Sequence, residues 1–152
     1  MKLSLDNIAD YADTLVLQVQ GGGRTLDYSE ASIATLEDLL RVSDELLRSD
    51  NFPDAQRNLV VFYNGCYLGE VLSRNLIGVW RFDDNWYDSR IVFPYQGGGI
   101  QIQPFHKLFR RVTEGPEEND LVAYYEGLKT RIEGDSIGGD STVSEDPAPG
   151  PE

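Results

Sequence analysis

The sequence predicts an α+β domain in which helices come first, a three-stranded antiparallel meander follows, and further helices close the chain. Apolar residues recur at three- and four-residue steps through three successive segments up to residue 74. From Leu76 the pattern changes to short apolar runs separated by turn residues. Helices and strands do not alternate, as they must in a parallel sheet built from βαβ units.

The first helix, residues 3–19, carries Leu5, Ile8, Ala9, Ala12, Leu15, Val16 and Val19 on one stripe and stops before Gly21. Leu17, Val19 and the glutamines beside them also alternate, so a short strand remains open for its second half. The second helix begins with Asp27 and Ser29 at the cap and Glu30 in the first turn. Its wide apolar face consists of Ile33, Leu36, Leu39, Leu40, Val42, Leu46 and Leu47, and it runs to about Arg48.

Turn residues at 49–51 lead to Pro53, placed where a first helical turn tolerates proline. The third helix, residues 53–74, bears Leu59, Val60, Phe62, Tyr63, Cys66, Tyr67, Val71 and Leu72 around much of its circumference, which predicts a central position. Gly65 and Gly69 share one face of it and predict the close approach of another backbone. Each costs the helix about 1 kcal/mol relative to alanine. Glu70 and Arg74 have the spacing and order of a helix-surface ion pair.

Strands follow at 79–82, 90–93 and 100–103, joined by a polar turn at 83–88 and by Pro94 with the glycine-rich turn at 97–99. Ile100 and Ile102 alternate with Gln101 and Gln103, so one sheet face is expected buried and the other wet. Pro104 opens a short helix with Phe105, Leu108, Phe109 and Val112 inward, ended by Glu114, Gly115 and Pro116. The last helix, residues 119–132, uses Leu121, Val122, Tyr125, Leu128 and Ile132.

One domain is expected over residues 1–132. Residues 133–152 hold six acids, no base, three prolines and four glycines, with only Ile137, Val143 and Ala148 apolar. So little apolar area does not offset the entropy of ordering, which predicts a disordered acidic tail. Such a tail reads either as an electrostatic lure for a basic surface or as a solubilising terminus.

The chain has 26 acidic and 13 basic residues, a formal net charge of −13. Removing the tail leaves 20 acids and 13 bases, net −7, so the expected domain is itself acidic. This balance argues against nucleic acid and anionic membrane surfaces as partners and favours a basic protein. The longest apolar runs have five residues, too few to span a bilayer. The N-terminal segment, with Asp6, Asp10 and Asp13, does not read as a secretory signal, and the single Cys66 rules out an intrachain disulfide. A cytoplasmic protein is the expectation.

Catalytic chemistry finds little to work with. A nucleophilic pair would have to combine Cys66 with His106, the only imidazole. Cys66, however, sits among apolar neighbours on a helix, where cysteine behaves as a small hydrophobe, and His106 reads as a surface or capping residue beside Pro104. Asp83, Asp84, Asn85 and Asp88 lack the glycine and terminal glutamate of a calcium loop, so no metal site is expected. The glycine triplets at 21–23 and 97–99 lack the Lys-Ser/Thr pair and the strand–loop–helix order of a phosphate loop. No cofactor is therefore expected, and carboxylate pairs for glycoside chemistry can be nominated anywhere among so many acids.

The remaining signal is aromatic. Trp86 and Tyr87 stand in the polar turn beside Asp83, Asp84 and Asp88, which is the composition of an interface hot spot for a basic partner if the rings are exposed. In the other reading, Trp86 folds back over the sheet.

Leu26-Asp27-Tyr28-Ser29, then Tyr67-Leu68-Gly69-Glu70 with Arg74 and Asn75, then Trp80 and Pro104-Phe105, follow one another in an order that resembles a family of small bacterial domains of unknown function. The likeness covers most of residues 24–130. It implies a bacterial origin and a single α+β domain, transfers no catalytic role, and marks Tyr67, Gly69, Glu70, Arg74 and Trp80 as structural, with Glu70 a partly buried acid held by Arg74 or a tyrosine. The expected function is that of an acidic protein-binding module, of the kind an immunity protein or inhibitor provides. A housekeeping or scaffold domain is the alternative, and a small hydrolase-type enzyme a further one.

Overall fold

The structure, a computed structural model, describes residues 2–94, 99–138 and 142–144, with side chains described up to residue 134. Helices α1 (Ile8–Gly21), α2 (Ser32–Leu47) and α3 (Asp54–Asn75) come first. Strands β1 (Val79–Arg81), β2 (Arg90–Phe93) and β3 (Gly99–Ile102) follow, then helices α4 (Pro104–Glu114) and α5 (Leu121–Gly138). A fourth short strand, β4 (Thr142–Ser144), pairs parallel to β3. The α+β arrangement matches the sequence expectation. Of the expected acidic tail, residues 139–141 and 145–152 lie outside the described residues, while the backbone of α5 continues through Gly138. Most of the glycine-rich turn at 97–99 also lies outside them. Among the described residues no helix is long and apolar enough to cross a membrane.

The antiparallel register aligns Trp80 with Ile91 and Ile91 with Ile102, and Phe93 with Ile100. These residues form one buried row, with Ile91, Phe93, Ile100 and Ile102 fully buried, while Arg81, Arg90 and Gln101 face out. The period of two places one row against the helices. Behind it lies α3, buried almost continuously from Val61 to Leu72. Its glycines are sites of close approach, but to aromatic rings and not to another backbone. A Cβ at Gly65 would lie 2.4 Å from Phe105 Cδ1, and one at Gly69 would lie 2.3 Å from Trp80 Cζ2.

Three sequence expectations change. Helix α1 begins at Ile8 and not at residue 3; its second half is helical to Gly21, as its apolar stripe implied, and the strand alternative falls, while Leu5 precedes the helix and is exposed, and Leu3 is buried instead. Helix α2 begins at Ser32, with Asp27 capping the preceding turn. Asp27 Oδ1 accepts from the Ser29 amide and hydroxyl, at 3.1 and 2.6 Å, and these bonds lower its pKa. Ser29 Oγ then accepts from the Ser32 amide, while Glu30 reaches across to Tyr125 and Lys129 on α5.

The third change is the buried face of α2. Val42 and Leu46 are exposed, whereas Glu37 and Asp44 are buried beside Ile33, Leu36, Leu40 and Leu47. The cause is Arg111 of α4, whose side chain is fully buried. Its Nε donates to Glu37 Oε1 at 3.0 Å, its Nη2 to Glu37 Oε2 at 2.7 Å, and its Nη1 to Asp44 Oδ1 at 2.7 Å. Glu37 also accepts from the Leu121 amide at 3.0 Å and from Arg41 at 2.8 Å. Burial alone would lower the pKa of Arg111, but its hydrogen bonds to both carboxylates hold it above its ordinary value. One guanidinium thus ties α2 to α4, and one carboxylate ties α2 to the start of α5.

Candidate binding groove

The motif residues at Leu26–Ser29 and Tyr67–Trp80 converge in space. Tyr28 adopts φ 65°, a left-handed conformation that is costly for a bulky side chain. Four contacts hold it there. Its amide donates to Tyr67 Oη at 2.8 Å, and its carbonyl accepts from Asn75 Nδ2 at 2.9 Å. Its ring stacks on Tyr67 and lies under the Arg74 guanidinium, 4.0 Å from the centroid. Tyr67 Oη donates onward to Ser32 Oγ at 2.7 Å.

Arg74 donates to Glu70 Oε1 at 2.8 Å, and Trp80 Nε1 donates to Glu70 Oε2 at 2.9 Å. Glu70 is buried, so its two oxygens are satisfied by one cation at the rim and one indole inside. Gly69 leaves room for the ring that makes the second bond. Two sets of hydrogen bonds, one through Tyr67 and one through Glu70 with Arg74 and Trp80, are thus linked by the Arg74 guanidinium over the Tyr28 ring. With Gly69 making room for Trp80, they join the α2 entry, α3 and β1.

Cys66 and His106 have separate environments. The thiol is buried, and burial first, then the charge of Glu70, pushes its pKa well above the ordinary value. That suppresses the thiolate a nucleophile needs. His106 is buried as well and lies within α4, whose N-cap is Gln103, correcting its reading as a surface or capping residue. Its Nε2 lies 2.9 Å from Asp88 Oδ1, and its ring stacks on Tyr87 with centroids 4.2 Å apart. Pro104 stands in the first turn of α4, and His106, two residues on, faces the β1–β2 loop through these contacts.

That loop contains the residues singled out for binding. Asn85 caps a 3₁₀ turn over Trp86–Asp88 by accepting from the Tyr87 amide at 3.2 Å, and Asp83 Oδ2 accepts from the Asn85 amide at 3.0 Å. Trp86 and Tyr87 are half-buried and not a freely exposed pair. Trp86 packs edge-on to Phe62 and Phe105, each with centroids 5.0 Å away, and Tyr87 meets His106 and Phe109. Asp83 and Asp84 remain exposed, Asp84 lying 3.4 Å from Lys2 Nζ. Asp88 is partly covered by its bond to His106.

Between this loop and helices α3 and α4 runs a groove of about 430 Å³, lined by Asn58, Val61, Asn85, Trp86, Tyr87, Asp88 and Phe109. The sequence pointed to Trp86, Tyr87 and Asp88. It gave no sign of Asn58, Val61 and Phe109, which belong to helices whose orientation depends on packing. No three His, Cys, Asp or Glu side chains gather as a metal-binding group among the described residues. Comparison with protein-family models, with curated proteins and with solved structures found no match to the chain.

Proposed function

We propose that the chain is an acidic binding module for a basic protein, acting in the cytoplasm in the manner of an immunity protein or inhibitor, and that it belongs with the small bacterial domains whose motifs it resembles. The observation that carries this reading is the β1–β2 loop. Asp83 and Asp84 stand exposed immediately before a groove that contains a third carboxylate, Asp88, and two anchored aromatic rings. Aromatic anchors supply contact area at low entropic cost, and like-signed carboxylates around them raise the encounter rate with a positive surface. The raised pKa of Cys66 weighs against a thiol enzyme. The carboxylate count weighs against nucleic acid.

Affinity capture from a bacterial lysate at low and moderate salt tests the reading, with the full chain and its Asp83→Asn/Asp84→Asn/Asp88→Asn variant as baits. One basic protein is expected on the parent column, weakened by salt and depleted on the variant column. Its purified form should associate with the variant at least about tenfold more slowly. Absence of any basic protein, or equal retention by both baits, overturns the reading.

A further inference from the structure

We propose that the groove seats one arginine side chain of the basic partner, an assignment that rests on the protein-binding reading above. A guanidinium needs in-plane acceptors, an aromatic surface and freedom from competing cations. Asp88 supplies the first acceptor. Its Oδ1 is fixed by His106 Nε2 at 2.9 Å, while its Oδ2 has no hydrogen bond among the described residues and its side chain is 39% exposed. The buried imidazole behind it sets the carboxylate's direction without closing the groove.

Asn58, exposed on α3, supplies an amide on another wall. Trp86, Tyr87 and Phe109 supply the aromatic lining, and among the described residues no basic side chain lines the space. An anionic ligand would meet the Asp88 carboxylate with no cation among the described lining residues to offset it. Between the two basic side chains the groove favours arginine over lysine. A planar fork can span acceptors on separate walls and lie against rings, whereas a compact, strongly hydrated ammonium uses such a surface poorly.

The probes are N-acetyl-arginine methylamide and its neutral citrulline analogue, titrated into full-length protein while backbone amide, Trp86 indole and Asn58 side-chain resonances are followed. The arginine derivative should give saturable shifts confined to the groove. It should bind at least about tenfold more tightly than the citrulline analogue, the difference expected of one charge-assisted hydrogen bond. Asn58→Lys places a cation at an exposed position of the wall without touching the core and should abolish the shifts. Asp10→Asn, exposed on α1 and outside the groove's lining, should leave them unchanged. Equal binding of the two probes, or shifts scattered over the acidic surface, overturns the assignment.

The same Asn58→Lys protein, used as bait in the capture experiment, separates the two levels. A basic partner retained equally by parent and Asn58→Lys refutes the arginine seat and leaves the binding module standing. Saturation by the arginine derivative with no basic protein retained refutes the partner and makes a small guanidinium compound the ligand.

Discussion

Arg111 meets Glu37 as a buried bidentate pair, Nε to Oε1 at 3.0 Å and Nη2 to Oε2 at 2.7 Å, and shares its remaining edge with Asp44. Removing one member of such a group strands the others in a medium that solvates them poorly. Arg111→Met should therefore destabilise the fold by about 3–5 kcal/mol in urea unfolding. Glu37→Leu/Asp44→Leu/Arg111→Met together should cost less than Arg111→Met alone. A triple variant weaker than the single one would show that the charges themselves stabilise the fold.

Tyr67 Oη bridges the Tyr28 amide and Ser32 Oγ. Tyr67→Phe keeps the stacking and removes both bonds, so it should lower stability by about 1–2 kcal/mol. Amide hydrogen exchange should rise most at Tyr28, whose left-handed backbone then loses one of its restraints. Unchanged exchange there would separate the backbone strain from the bridge.

Gly69→Ala would ordinarily favour a helix by about 1 kcal/mol. Here the added methyl falls 2.3 Å from the Trp80 ring, within a core that has no spare room. The variant should be less stable than the parent by about 1–3 kcal/mol. Tryptophan emission should shift as Trp80 loses its bond to Glu70. A stabilised variant with parental emission would mean that the ring moves aside freely.

Cys66, Tyr28, Tyr67 and Tyr125 all have pKa values raised above their ordinary 9.0 and 10.0, in each case with burial as the largest cause. Between the ordinary and the raised values the unfolded chain gives up these protons and the native state keeps them. The unfolded state then binds fewer protons, so stability falls as pH rises. Stability should hold below about pH 9 and decline steadily above it, as followed by urea midpoints across that range. Cys66 should resist iodoacetamide at pH 8 until denaturant is added; rapid alkylation of the native protein would show that the helix opens at that site.

Much of the fold was legible because its period is written in residues that face only one way. Ile100 and Ile102 alternate with glutamines, and the short apolar runs around Trp80 and residues 91–93 are bounded by turn residues, so the meander follows. Helix α2 was legible as a helix but not in its orientation. Its apolar positions form a stripe broad enough to rotate, and the true inner face includes Glu37 and Asp44, which are read as solvent-facing unless a buried arginine 67 or 74 residues away is known to meet them. The groove shows the same limit. Trp86, Tyr87 and Asp88 are adjacent in sequence and were found together, whereas Asn58, Phe109 and the His106 support reach them only through the packing of α3 against α4.

The Arg111 tie also bears on the order in which the chain can assemble during synthesis. Helix α2 is complete by residue 47, yet of the two carboxylates on its inner face only Glu37 has a cation on the same helix, Arg41, while Asp44 meets Arg111, translated more than sixty residues later. Until α4 emerges, burying that face leaves Asp44 without its cation, at a cost of several kcal/mol. The Arg111 tie thus makes the docking of α2 against α4 depend on a residue made late, whereas α1 meets α3 through Tyr11 and Phe62, independently of it.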